Sequence, residues 1–292
     1  MNTSELIGAL KIHGSFPTSN DLFSDSDFLN LFNHQMKAEI VPLLLKVNEE
    51  YLLQSKDFAI VSGSSYRIPT RAVGSVIRNL QILDAAGNVT TSTISRLYEE
   101  DRGANRSGYY MLRNSIELSK DYTIGTLRMK YFARPGTLVL PTACAQITSI
   151  NFTTNRLTTA SVPTNFISGT VVDFVQNTNP YDLLQMDSAI VTVLGTTITF
   201  ASLPPDLAVG DWLCLSTQSC VPMIPEELQT VLIQSCLCKT LSSKKDQQYK
   251  DELDTLMRIK EDAVNMMDPR IEDNTNKVRS GRLLGYFSSR RY

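Results

Sequence analysis

Five cysteines are the side chains of this sequence best suited to metal chemistry, because thiolates are strong ligands for zinc and other soft cations. None of the spacings between them is that of a zinc-binding motif, and an odd number leaves at least one thiol outside any set of disulfides. The last two are two positions apart, so on a helix they point in different directions. We therefore predict reduced, partly buried thiols in a protein made in the cytoplasm. They are Cys144, Cys214, Cys220, Cys236 and Cys238.

Candidates for acid–base catalysis are scarce. The two histidines, His13 and His34, have no cysteine or carboxylate partner at ligand spacing, so we interpret them as structural or surface residues. The acidic runs at 49–50 and 99–101 fall in segments predicted to be helical, where such acids usually face solvent. No serine lies in a nucleophile-elbow pattern, and no glycine-rich loop precedes a lysine at phosphate-binding spacing. The sequence therefore predicts no catalytic, cofactor-binding or metal site, and no enzyme.

The single tryptophan, Trp212, has two interpretations. Its ring could stack on a sugar or a nucleic-acid base, but the sole tryptophan of a small β module more often fills the core. We predict a core position. An exposed aromatic cluster around Trp212 and Tyr181 would instead indicate a surface that binds carbohydrate or a receptor.

The charge of the chain is unevenly distributed. The net charge is -2 and the hydrophobic fraction is 42%, which is ordinary for a globular protein and does not favour nucleic acid as a partner. Between Asn274 and Tyr292, however, there are five basic residues and no acidic one. Three interpretations remain open for this tail: a solvated, disordered terminus, a peptide that docks on a partner through arginine and aromatic anchors, or a DNA contact.

The first residues, MNTSELIGAL, contain neither a basic region nor a sustained apolar region of the kind found in secretory signals. No window approaches the roughly 18–20 apolar residues that a membrane helix requires. We predict neither a signal peptide nor a membrane-spanning segment.

Helical periodicity marks the first and last parts of the sequence. We predict a helix over Thr3–His13 and a second that is capped by Ser24 or Asp25. Pro42 should kink the second helix, because proline lacks an N–H and clashes with the preceding turn, and helix should resume over Leu43–Leu53. Two further helices are predicted at Glu226–Leu241 and Lys245–Met267.

Strand patterns occupy the middle of the sequence. A small antiparallel sheet is predicted first, beginning with a hairpin and including one short helix at Ile94–Asp101. Its strands are Phe58–Val61, Tyr66–Ile68, Val76–Leu83, Tyr109–Leu112, Ser115–Leu118 and Thr126–Phe132. Short, evenly spaced strands then predict a small barrel or sandwich. These strands are Gln146–Asn151, Arg156–Thr159, Val171–Gln176, Ser188–Leu194, Thr197–Phe200 and Trp212–Ser216.

The predicted fold class is α+β. N- and C-terminal helices should form one helical bundle that carries the small antiparallel sheet, with the all-β barrel or sandwich as an inserted module. The predicted divisions are 1–142 for the N-terminal helices and sheet, 143–221 for the β module, 222–268 for the C-terminal helices and 269–292 for the basic, aromatic tail.

Several phrases, taken in order along almost the whole chain, resemble head-to-tail adaptor proteins, also called connector or ring proteins, of short-tailed and crAss-like bacteriophages. The phrases are PLLLKVNEEYLL (42–53), YRIPTRAVG (66–74), TLRMKYFARPGTLVL (126–140), SLPPDLAVGDWLCL (202–215), PMIPEELQTVL (222–232) and PRIEDNTNKVRSGRLL (269–284). Each phrase alone has low specificity, and the resemblance rests on their order.

The resemblance implies a structural virion protein that is made in the host bacterial cytoplasm and assembled at the neck. Its copies would form a dodecameric ring beneath the portal, join the capsid vertex to the tail and line the channel through which genomic DNA leaves. The implied partners are the portal protein, neighbouring copies, tail or further ring proteins and, transiently, DNA, with no membrane.

The resemblance also implies that the C-terminal segment reaches toward the portal. The residues it would use are Arg279, Arg282, Leu283, Leu284, Tyr286, Phe287, Arg290, Arg291 and Tyr292. The alternative function is a tail-attachment, fibre-attachment or receptor-binding virion component that uses the β module.

Overall fold

The computed structural model describes residues 1–16, 23–61, 63–98, 106–119, 122, 124–179, 181–244 and 248–267. Over these residues the protein has a mixed α+β fold that contains a closed six-stranded barrel. The tail of residues 269–292, with all of the predicted portal-binding residues, lies outside the described residues.

The described fold has five α-helices, three before the strands and two after them. A capping box at Asn2 begins the first helix. A capping box at Ser24, one of the two predicted caps, begins the second. The helices are α1 (Thr3–His13), α2 (Asp25–Gln35), α3 (Val41–Val47), α4 (Glu226–Lys244) and α5 (Tyr249–Met267).

The predicted interruption near Pro42 takes the form of a π-helical turn, Met36–Ile40, between α2 and α3. Pro42 then lies in the first turn of α3, where its missing N–H costs no helical hydrogen bond. The helix predicted to run to Leu53 ends earlier, at Val47, because Asn48 leaves the helical region with φ -143° and ψ 78°. A 3₁₀ turn over Glu49–Leu52 connects it to the first strand.

Helices from both ends of the sequence bury their apolar faces in one shared core. Phe28 of α2 and Leu44 of α3 lie in the same cluster as Leu228 of α4 and Leu256 of α5. Burial of this kind is the main source of helix stability in a folded protein. None of the helices in the described part of the chain combines the length and apolar character needed to cross a lipid bilayer.

Two four-stranded sheets follow α3, where the sequence predicted one. The first has the order β1-β8-β3-β4, and the second has the order β2-β7-β6-β5. The strands are β1 (Leu53–Ala59), β2 (Ser65–Arg67), β3 (Ala72–Leu83), β4 (Val89–Thr91), β5 (Arg96–Leu97), β6 (Tyr109–Leu112), β7 (Ser115–Leu118) and β8 (Thr126–Ala133).

The predicted hairpin between the first two strands is wrong, because β1 pairs with β8 while β2 pairs with β7. Strand β8 buries every second side chain, including Leu127, Met129 and Tyr131, and it is paired along both edges, by β1 and β3. The predicted short helix at Ile94–Asp101 is also wrong where it is described, since Arg96–Leu97 pairs in parallel with β6. In both segments, pairing with strands distant in sequence determined the structure, and the local sequence pattern did not.

The inserted β segment is a closed barrel, one of the two architectures that its short strands predicted. The strand order is β10-β11-β14-β13-β12-β15, and β15 pairs back with β10 to close it. The strands are β10 (Ala145–Asn151), β11 (Arg156–Thr159), β12 (Val171–Val175), β13 (Leu183–Leu194), β14 (Thr197–Phe200) and β15 (Trp212–Leu215). Phe174 packs on Phe200 inside, with ring centroids 5.0 Å apart. Closure leaves no barrel strand with an open edge.

The chain enters and leaves the barrel side by side. Strand β9 (Thr137–Leu138), just before the barrel, pairs in parallel with β16 (Gln218–Ser219), just after it. Asn33 of α2 fixes the same point, because its side-chain amide donates to the Leu138 carbonyl and accepts from the Leu138 N–H. We call the segments 137–144 and 216–221 the base of the barrel. The helices and the barrel meet there.

Candidate functional site

A polar cleft of about 540 Å³ lies between the first sheet and the barrel. Strand β1 contributes Lys56, the turn before β3 contributes Arg71, and the barrel contributes Met186, Asp187 and Ser216. A cleft at a junction between two structural layers is a common place for a ligand site. The charges in it decide what chemistry it could perform.

Arg71 is the central side chain of this cleft. One of its terminal nitrogens, Nη2, lies 2.6 Å from Asp173 Oδ2 and 3.3 Å from Asp187 Oδ1, and it donates to the Ser216 hydroxyl at 2.9 Å. Asp173 also accepts hydrogen bonds from the backbone N–H groups of Asp187 and Thr217, both at 3.0 Å. The carboxylate of Asp173 is therefore fully engaged by groups of the protein itself.

The cleft is electrostatically balanced. Burial raises the pKa of Asp173, while Arg71 and the two backbone donors act in the opposite direction. Lys56 lies 3.9 Å from Asp187, so the charges of Arg71 and Lys56 offset those of Asp173 and Asp187. An arginine neutralised in this way is not available to bind an anionic ligand. We interpret the network as the contact that orients the barrel on the sheet.

A second cluster brings together three cysteines at the base of the barrel. The sulfur atoms of Cys144, Cys214 and Cys220 all lie within 4.8 Å of one another, and the three side chains are buried. The sequence analysis missed this cluster because no pair of these cysteines has the spacing of a metal-binding motif. Their proximity follows from closure of the barrel, which the sequence left open against a sandwich. Cys236 and Cys238 lie apart from it, in α4. All five cysteines are buried and none is joined in a disulfide, whereas the sequence predicted only partial burial.

The three thiols of the cluster influence one another's protonation. Hydrogen bonds from Cys214 and Cys220 lower the pKa of Cys144 to about 5, because they stabilise its thiolate. Burial raises the pKa of Cys214 and of Cys220 well above the ordinary thiol value. A single negative charge in the cluster would therefore reside on Cys144, with the other two thiols protonated.

Trp212 occupies the core position that the sequence predicted. Its side chain is 8% exposed, and its indole Nε1 donates to Asn177 Oδ1 at 2.9 Å. Tyr181 is buried to the same extent and belongs to the same hydrophobic cluster. The aromatic surface that would have indicated carbohydrate binding around these two residues is absent from this part of the described structure.

The other sequence candidates do not converge. His13 and His34 are exposed in the last turns of α1 and α2. Glu49 forms an ion pair with Arg78 at 2.8 Å on the surface. The acidic run at 99–101 and the portal-binding candidates at 279–292 lie outside the described residues.

Comparison of the sequence with protein-family models found no match, and comparison with curated proteins found none.

Proposed function

We propose that this protein is a structural virion subunit, a head-to-tail adaptor whose ring lies beneath the portal and connects the capsid vertex to the tail. The observation that favours this proposal over a receptor-binding component is the burial of Trp212 and Tyr181. A receptor-binding or carbohydrate-binding module would use such aromatic residues at its surface. Here they are buried in a hydrophobic cluster at the base of the barrel.

The finer form of the proposal is that α1–α5 form the helical bundle of the ring body. The shared core of helices from both ends of the sequence supports this, because it packs residues of α1–α5 in one hydrophobic cluster. A closed ring needs heterologous interfaces, in which one face of a subunit fits a different face of its neighbour. The net charge of -2 is compatible with a channel that lets DNA pass without holding it.

The tail of residues 269–292 follows α5 in the sequence and is the proposed portal-binding element. Tyr286, Phe287 and Tyr292 provide aromatic anchors, and Arg282, Arg290 and Arg291 provide planar donors for carboxylates. Ordering a peptide on the portal costs conformational entropy when it binds. That cost would keep the subunit monomeric until a portal is present.

The test is the particle mass of the full chain, alone and mixed with the portal protein encoded by the same genome. We expect growth from a monomer to a portal-bound ring, and the mass of the complex gives the copy number. A chain that lacks residues 277–292 should remain folded and fail to attach. A second chain with the same residues in scrambled order separates specific anchoring, which scrambling abolishes, from simple charge attraction, which scrambling preserves. Normal attachment of the truncated chain would refute the proposed role of the tail.

One observation favours a binding role for the barrel in addition. Its outer face exposes Ile167, Val171 and Val191. The hydroxyl of Ser168, which follows Ile167 in the chain, donates to the Val191 carbonyl. Exposed apolar groups that lie together mark protein contacts. The alternative function is therefore attachment to a tail or fibre protein through the outer face of the barrel. Replacing Ile167 and Val191 by serine should then abolish binding to that protein and leave portal binding unchanged.

A further inference from the structure

The three-cysteine cluster lies at the point where the chain enters and leaves the barrel. Cys144 directly precedes β10, Cys214 is in β15, and Cys220 directly follows β16. Each of the three side chains is at most 1% exposed. Three thiols from separate segments thus converge on one enclosed position.

We propose that Cys144, Cys214 and Cys220 bind one divalent thiophilic metal ion, of which Zn²⁺ is the representative. Zinc–sulfur bonds of about 2.3 Å in tetrahedral geometry place two sulfurs about 3.8 Å apart. The sulfurs of Cys214 and Cys220 are 4.0 Å apart, and all three pairs fall within 4.8 Å. The ligands therefore need to move by only a few tenths of an ångström for this pair and by less than about 1 Å for the others.

The same distances disfavour a disulfide. A disulfide requires sulfur atoms about 2.05 Å apart, so Cys214 and Cys220 would have to close by about 2 Å within a fully packed core. That movement is about ten times what metal binding asks of the same pair. A disulfide would also leave Cys144 as an unused third thiol.

Charge balance selects a divalent over a monovalent ion. Zn²⁺ held by three thiolates leaves a net charge of -1, whereas Cu⁺ with three thiolates would leave -2 in a buried site. The backbone around the cluster is itself fixed, since the N–H of Thr3 at the beginning of α1 donates to the Cys220 carbonyl at 2.8 Å.

A metal in this site would act as a clamp on the base of the barrel. It would join the segment that enters the barrel to the strand that closes it and to the segment that leaves toward α4. Metal-binding energy becomes folding energy when the site is not formed in the unfolded chain. The inference does not depend on the adaptor function, because it rests on ligand geometry alone.

The experiment is metal analysis of the full chain, purified in a reducing buffer after addition of Zn²⁺ and removal of loosely bound metal with a weak chelator. We expect about one zinc per chain, and thermal unfolding should shift to lower temperature when a strong chelator removes it. Replacing zinc by Co²⁺ should give the near-ultraviolet charge-transfer absorption of thiolate ligands. Cys144→Ala, Cys214→Ala and Cys220→Ala should each lose most of the bound metal and this absorption.

Cys236→Ala and Cys238→Ala are the matched controls, because both residues are buried thiols outside the cluster. They should retain the metal and the cobalt spectrum. Should the three cluster variants fail to fold, the spectrum of the unmodified chain still decides the question. Absence of stoichiometric zinc and of the cobalt–thiolate absorption in that chain overturns the proposal, as does a mass that shows a Cys214–Cys220 disulfide under the same reducing conditions.

Discussion

Arg71, in the turn before β3, forms a buried ion pair with Asp173 of barrel strand β12, with 2.6 Å between Nη2 and Oδ2. The pair crosses the boundary between the first sheet and the barrel, and its side chains are 7% and 1% exposed. Desolvation of two charges offsets much of their attraction, so such a pair need not add stability relative to an apolar contact. Removing one partner is different, because it leaves the other charge buried and unpaired.

We therefore expect Arg71→Met to lower the free energy of unfolding by about 3–5 kcal/mol. Arg128→Met is the control, because Arg128 pairs with Asp57 on the surface at 2.7 Å and an exposed pair is worth at most about 1 kcal/mol. Urea denaturation followed by circular dichroism measures both. Equal losses in the two variants would show that burial of the Arg71 pair does not matter.

The Arg71→Met variant should also acquire a distinct pH dependence. Burial already raises the pKa of Asp173, and without Arg71 the carboxylate loses the charge that most opposes this effect. A carboxyl group whose pKa is higher in the folded than in the unfolded state binds more protons when folded, so stability falls as pH rises above the ordinary value of 3.8. The deficit of the variant should thus be larger at neutral pH than in mildly acidic buffer. A deficit that is independent of pH would contradict this account.

Glu39, in the π-helical turn, links three helical segments. It accepts hydrogen bonds from Lys260 of α5 and Ser235 of α4. Burial opposes its charge, but these contacts outweigh burial and hold the pKa of Glu39 below its ordinary value of 4.5. Because the pKa of Glu39 is lower in the folded than in the unfolded state, its stabilisation is fully present at neutral pH. It is lost as pH falls below 4.5 and through the lower folded-state pKa.

Glu39→Gln should therefore lower the free energy of unfolding at pH 7 by about 1.5–3 kcal/mol, the typical worth of hydrogen bonds to a charged group. The difference from the unmodified protein should disappear in acid, below pH 4.5. Chemical denaturation at several pH values tests this. Glu261→Gln, at an exposed position of α5, should have little effect at any pH.

Trp212 is a natural reporter of the barrel, since it is the sole tryptophan and is 8% exposed. Its fluorescence should be blue-shifted and protected from acrylamide, and it should shift to the red in urea. Soluble sugars should leave the emission unchanged. Emission typical of a solvated indole, or a change on adding sugar, would instead favour the receptor-binding alternative.

Gly125 precedes strand β8 at φ +110°, a conformation that side chains rarely adopt, and a Cβ there would lie 2.6 Å from the Leu83 carbonyl oxygen. Gly87 also has positive φ, +84°, but a Cβ added to it would have no other atom within 4 Å. We expect Gly125→Ala to cost about 2–4 kcal/mol and Gly87→Ala about 1 kcal/mol. Thermal unfolding of the two variants separates two costs. Both variants have the strain of a side chain at positive φ, and only Gly125→Ala adds the steric clash with the Leu83 carbonyl.

Local signals in the sequence predicted much of the secondary structure. The bounds of Thr3–His13, Arg156–Thr159 and Thr197–Phe200 agree with the observed elements, because capping residues and alternation are local properties. Pairing between distant strands was not predictable in the same way. Leu53, which continues a helical pattern, begins a strand because its register places it opposite Phe132 of β8.

Neither the cysteine cluster nor the Arg71–Asp173 pair could be predicted from local sequence patterns. Arg71 and Asp173 are 102 positions apart, and Cys144 is 70 positions from Cys214. Their proximity follows from barrel closure and from the way the barrel sits on the sheet, which no spacing encodes. The core position of Trp212 was predictable because it depends on residue type and strand context.

The parallel pairing of β9 with β16 means that the barrel has a single point of attachment in the chain. Because the folded barrel brings its own two ends together, its length adds little to the entropic cost of loop closure in the rest of the fold. In evolutionary terms, recombination at two neighbouring positions could exchange the barrel as one unit, provided that the incoming barrel kept a partner for Arg71.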